Sequence, residues 1–216
     1  MVGRWVPRQR SEATLTESGP PLKAALVMAR RALKERGFSA KGTTFYRKCQ
    51  TGNTVVLSVQ KSVKSSSADA QVTINYGVYS QRIGGRLQDD ASSALDVSKA
   101  HWRKRLSEGG REKWLRVKSE DSPEVIGRII LGAAEDVLTE LAQTASDEAL
   151  RGVWLSGSSP GIGNMQRLLF LAILINEIGP ADRLKGVVAD LRSLVSGSAH
   201  ERLVEGRLAR AGVQSQ

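Results

Sequence analysis

The sequence predicts an α+β fold: an N-terminal helix, an antiparallel sheet of about four strands, and then a C-terminal helical region. Three observations carry this. Apolar residues recur at helical spacing just after residue 21, two runs between 54 and 80 alternate with period two, and helical stripes return from 121 onward. The elements are segregated as helix, strands, helices, which is the order of an α+β chain rather than of a βαβαβ chain.

Residues 1–20 mix Arg, Ser, Thr, Glu and Gly without a period and read as a flexible lead. From residue 21, Leu22, Leu26, Ala29 and Leu33 form one apolar stripe, and Arg30, Arg31, Lys34, Glu35 and Arg36 form the wet face. Gly37 followed by Phe38 is a helix stop with its trailing apolar contact. Strands follow at 43–48, 54–62 and 71–80. Val55, Leu57 and Val59 share one face of the second; Val72, Ile74, Tyr76 and Val78 share one face of the third. Gly52-Asn53 suits a hairpin between the first two. Residues 81–100 are rich in Gly, Asp and Ser and read as irregular. The run from His101 then reads as a short strand, a Gly109-Gly110 turn, and another strand or extended segment at 113–117.

Asp121-Ser122-Pro123-Glu124 is a helix start: a capping residue, Pro in the first turn, and an acid near the positive end of the macrodipole. The stripe of Ile126, Ile129, Ile130, Val137 and Leu141 carries that helix to about 144. Further helices are expected at 147–155, 164–178, 181–195 and near the C-terminus. The organisation is therefore a lead at 1–20, an α+β domain at 21–145, and a helical region at 146–216 packed on it.

Composition limits the function. The 216 residues carry a net charge of +10. Residues 1–118 hold 23 Lys and Arg against 9 Asp and Glu, whereas 119–216 hold 9 against 13. A basic half of this kind suits an acidic protein or a nucleic acid. A single cysteine, Cys49, excludes an intramolecular disulfide, and two histidines make no metal-ligand set. The longest apolar run, 168–175, is too short to span a bilayer, and no apolar stretch follows the first arginines as in a signal peptide. The expected compartment is the cytoplasm.

The run 157–163, Gly-Ser-Ser-Pro-Gly-Ile-Gly, has the spacing of a dinucleotide loop. Such a loop needs a strand before it and a parallel sheet around it. Only 53 residues follow Gly163, and all three tyrosines precede it, so no Tyr-x-x-x-Lys pair completes a short-chain dehydrogenase. The run is expected to join two helices, and no cofactor is assigned.

The blocks "LKERGFSAKGTTFYRK", "VVLSVQKS", "VTINYGVYS", "HWRKRL" and "REKWLRV" occur in that order. In this succession the chain resembles the bacterial family called domain of unknown function 4304, over about residues 22–145. The resemblance implies helices packed on an antiparallel sheet and assigns no activity.

One sheet face stands out. If Val55, Leu57 and Val59 point inward, Gln60 points outward, and Thr73, Asn75, Gly77 and Tyr79 share that outward face. Arg47, Lys61, His101 and Arg103 are expected to rim it. Gln60, Asn75 and Tyr79 with this basic rim make a candidate binding surface. The function expected is a non-catalytic interaction module with an acidic protein partner, as in a toxin–immunity pair. The alternative is a nucleic-acid binder using the basic half.

Overall fold

A computed structural model describes residues 20–66 and 69–213; the expected lead at 1–20 falls almost wholly outside them. Helix α1 (Pro20–Glu35) buries Leu22, Ala25, Leu26, Ala29 and Leu33. It ends as expected. The N–H of Gly37 (φ +80°) reaches the Lys34 carbonyl at 2.9 Å and that of Phe38 the Leu33 carbonyl at 3.0 Å, the paired bonds of a Schellman cap.

The sheet is wholly antiparallel among the described residues. Its order is β1 (Ser39–Lys41), β2 (Thr44–Lys48), β3 (Thr54–Lys61), β4 (Asp69–Tyr79), with β5 (Trp102–Arg105) and β8 (Leu115–Lys118) both pairing with β4 on its far side. A small hairpin, β6 (Ser107–Glu108) and β7 (Arg111–Glu112), turns at Gly109-Gly110 between them. The six-stranded sheet exceeds the about four strands expected, and β1 is the one strand with no counterpart among the segments read from the sequence; at three residues it is too short to show a period.

Register divides the sheet into two faces. Val55 pairs with Val78, Leu57 with Tyr76 and Val59 with Ile74. All are buried, and α1 and α3 (Pro123–Thr144) lie over this side. Ser122 caps α3, its hydroxyl accepting from the Val125 N–H at 3.4 Å. Lys104 on this side donates to Glu140 of α3 at 2.5 Å, and Tyr76 donates to the same carboxylate at 2.5 Å.

Residues 81–100 depart from the expectation of irregular chain. They form helix α2 (Gln81–Leu87) and two 3-10 turns, Ala91–Leu95 and Val97–Lys99. Each start is capped by a side chain: Ser80 accepts from the Ile83 N–H, Asp90 from Ser92, and Asp96 from Ser98. The Gly84-Gly85 pair hides α2 in the sequence because glycine is a poor helix former. Gly84 is required by packing. A Cβ there would stand 2.0 Å from the Tyr79 hydroxyl.

The C-terminal helices are α4 (Asp147–Leu155), α5 (Asn164–Ile178), α6 (Leu184–Val195, after a 3-10 turn at Ala181–Arg183) and α7 (Glu201–Arg210). Residues 168–175 of α5 are all buried, so this helix is the centre of the layer. The Val153-Trp154-Leu155 run is the last turn of α4, and the glycine run joins α4 to α5. That loop lies on the backbone of β5. Gly161 has φ +70°, and a Cβ there would come within 2.3 Å of the Arg103 carbonyl oxygen. Among the described residues no helix is long and apolar enough to cross a membrane.

Candidate binding face

The face of the sheet turned away from α1 and α3 is the candidate site. Pairing places Lys41, Thr44, Ser58, Asn75 and Arg105 side by side across all five strands from β1 to β5. Every member of this row can hydrogen-bond. By the same alternation Lys48, Arg103, Arg116 and Lys118 share the face, while Asp69 is its strand-borne carboxylate. Six cations (Lys41, Lys48, Arg103, Arg105, Arg116, Lys118) thus stand against one acid on the strands of this sheet, while Glu112 and Glu120 reach Arg105 and Lys118 from neighbouring segments. Arg116 forks onto Asp69 with bonds of 2.6–3.0 Å and holds that carboxyl below its ordinary range.

Side chains in the row are ordered by one another. Arg105 Nε donates to Asn75 Oδ1 at 2.9 Å, and Asn75 Nδ2 donates to Gln60 Oε1 at 2.7 Å. Thr44 bonds to Ser58 through their hydroxyls at 3.2 Å. Arg105 also pairs with Glu112 at 2.8 Å and lies 5.7 Å over the Trp114 ring. Thr73 is wholly buried and donates to the Lys113 carbonyl at 2.9 Å, which ties β4 to the segment leading into β8.

The residues singled out from sequence separate into three groups. Gln60 and Asn75 meet directly, and Arg103 stands on the same face beside Gly77. Arg103 is half-buried; its guanidinium donates to the Ser98 and Ala100 carbonyls at 2.7 and 3.2 Å. It is clamped under the 3-10 segment, where burial lowers its pKa. Arg47 and Lys61 are not on this face. They pair with Val55 and Val72 and stand on the helix-covered side. Arg47 there lies 4.8 Å over the Phe38 ring and donates to the Arg36 carbonyl at 3.1 Å. The physical reason is the period of two: Arg47 is out of phase with Tyr46, and Lys61 with Gln60.

Tyr79 and His101 form the third group, inside the protein. The rings stack at 4.6 Å, and Phe170 of α5 meets His101 edge-on at 4.8 Å. His101 is 2% exposed. Its Nδ1 accepts from the Ser80 N–H at 3.0 Å, so the neutral ring carries its proton on Nε2, 3.7 Å from Asp89. Burial pushes the imidazole pKa down. Burial and the Asp89 charge push the Tyr79 phenol up to about 12. Neither side chain reaches the open face, because α2 and the 3-10 turns close over this end of the sheet.

Beside His101 lies a network that sequence reasoning missed. Asp147 at the start of α4 accepts from Asn53 at 2.9 Å, from Ser80 at 2.7 Å and from Arg82 at 3.1 Å. Asn53 also donates to the Ala145 carbonyl and accepts from the Gln81 N–H. Its members come from three separate segments, around residues 53, 80–82 and 145–147, so no spacing could announce it. Asn53 did carry a signal as a turn residue, but for the hairpin alone.

No group of three His, Cys, Asp or Glu among the described residues could hold a metal ion. Two shallow grooves lie on the C-terminal helices. One, of about 360 Å³, is lined by Arg192, Ser196 and Glu205; the other, of about 280 Å³, by Asn164, Arg167 and Asp190. Neither includes a residue of the polar row.

No curated protein and no solved structure matches the chain. The profile of one family, described as Domain of unknown function (DUF4304), matches residues 29–143. That match spans the sheet, α1 from Ala29 onward and nearly all of α3, covers just over half of the sequence, and coincides with the blocks quoted above; the chain belongs to this family.

Proposed function

We propose that the protein is a non-catalytic interaction module that presents the open face of its sheet to an acidic protein partner. The excess of cations on that face carries the reading: six strand-borne Lys and Arg stand against Asp69, Glu112 and Glu120. Such a field steers an acidic surface and sets the register of docking. The buried histidine supports a non-catalytic role, since its acceptor nitrogen is committed to a backbone N–H.

The other reading, single-stranded nucleic acid, calls for aromatic rings with a free face for base stacking. Here Tyr46 packs against the Val56, Val97 and Ala100 cluster, Trp114 lies under Arg105, and Tyr79 is buried. These contacts favour the acidic protein. The two readings separate in a competition experiment. Polyglutamate and a single-stranded oligonucleotide of equal charge compete for the chain and for a variant with Lys41→Glu, Lys48→Glu and Lys118→Glu. Polyglutamate should win on the wild type and lose its hold on the variant. Preferential retention of the oligonucleotide refutes the proposal.

A further inference from the structure

The direction of the hydrogen bonds in the polar row determines which chemical group the row can receive. Arginine has donors only. Arg105 Nε donates to Asn75, so the amide oxygen of Asn75 faces Arg105 and its NH2 faces Gln60. That NH2 donates to Gln60 Oε1. The oxygen of Gln60 is therefore turned toward Asn75, and its NH2 is left at the end of the chain, on an exposed side chain with no acceptor among the described residues. Both amide orientations follow from the guanidinium and not from a choice of atom labels.

We infer that Asn75 is a relay that fixes the outward end of the row as a hydrogen-bond donor, so that Gln60 recognises a carboxylate side chain of the partner. The inference rests on the acidic-partner reading and sharpens it. Charge alone would attract any anion, whereas a held amide N–H selects an oxygen acceptor at one point on the face. Asn75 is a positioning residue in this scheme and Gln60 the contacting one. Asn75 can hold both neighbours because it carries one acceptor and one donor group on a short side chain. An aspartate in its place would still accept from Arg105, but it would draw the Gln60 NH2 inward and turn the Gln60 carbonyl out.

The test is a titration of the 15N-labelled chain with polyglutamate, followed by NMR. The side-chain NH2 signals of Gln60 should shift and saturate together with the backbone signals of Lys41, Ser58 and Arg105. Asn75→Asp should weaken binding about tenfold, the loss of roughly one charge-assisted hydrogen bond. Gln71→Glu adds the same charge on the same strand and face, outside the relay, and should weaken it by less than about threefold, as a screened surface charge does. Equal losses in the two variants, or a shifting face with an unmoved Gln60 NH2, overturn the relay and leave the acidic-partner reading intact. A wild-type chain that does not bind polyglutamate at low salt overturns that reading itself. The Gln60 signals are read on the wild type, so that part of the test does not depend on either variant folding.

Discussion

Replacing Gly161 by alanine tests whether the α4–α5 loop is seated on the sheet. Two costs add at this position. Gly161 has φ +70°, where an L side chain is strained by about 1–2 kcal/mol. The added Cβ would also meet the Arg103 carbonyl oxygen at 2.3 Å and Arg103 Cγ at 2.5 Å. Strand β5 is hydrogen-bonded to β4 at this point, so the backbone cannot yield, and the loop must lift at about 1–3 kcal/mol. The sum is about 2–5 kcal/mol, or roughly 6–12 °C in Tm for a 3 kcal/mol loss in a chain of this size. Gly157→Ala is the control. It has φ +87° with nothing within 4 Å, so it should show the strain alone, about 1–2 kcal/mol. Urea and thermal unfolding of the two variants, each against the wild type, give the comparison. Equal losses would mean that the loop does not rest on Arg103, and the packing derived for it would be wrong.

Two further outcomes follow from the interior. His101 is buried neutral, with its folded pKa below the ordinary value of 6.5, so the unfolded chain binds the extra proton first. Its contribution is complete above about pH 6.5 and is lost as pH falls from there toward the folded pKa, at up to about 1.4 kcal/mol per pH unit. Unfolding free energy measured between pH 7.5 and 5.5 should fall in the wild type and be flatter in His101→Gln; parallel profiles would contradict this. Asp147→Ala removes the acceptor shared by Asn53, Ser80 and Arg82, and should cost about 2–4 kcal/mol because buried donors lose their partner. A loss under about 1 kcal/mol in denaturant unfolding would show that water replaces the carboxylate there.

Much of this fold is legible in the sequence, for identifiable reasons. The alternation from Val55 to Val59 and from Val72 to Val78 is regular because one side of those strands is covered by α1 and α3 and the other is largely polar. The Ser122-Pro123-Glu124 start is legible because capping is local chemistry. Residues 81–100 are not, because a seven-residue helix containing two glycines has no stripe to read, and its Gly84 answers to Tyr79, not to helix propensity. The candidate face is half legible. Gln60 and Asn75 follow from alternation, but Arg105, which orients both, is out of sight until β5 is known to pair with β4. The charge of Arg47 and Lys61 suits the rim, but their register puts both on the helix-covered side. Alternation puts Tyr79 on the polar side of its strand, yet what covers that end of the sheet is a long-range fact.

The Asp147 network bears on where the protein can be cut. The family match stops at residue 143, in the last turn of α3, whereas the partners of Asn53 and Ser80 lie beyond it, at Ala145 and Asp147, and the ring that closes over His101 is Phe170. A fragment trimmed to the matched segment would expose the His101 ring and strand the polar groups that α4 now satisfies. The boundary of recognisable ancestry is thus narrower than the boundary of cooperative packing. In this chain the C-terminal helices are the wall of the family-matched half and not an appendage to it.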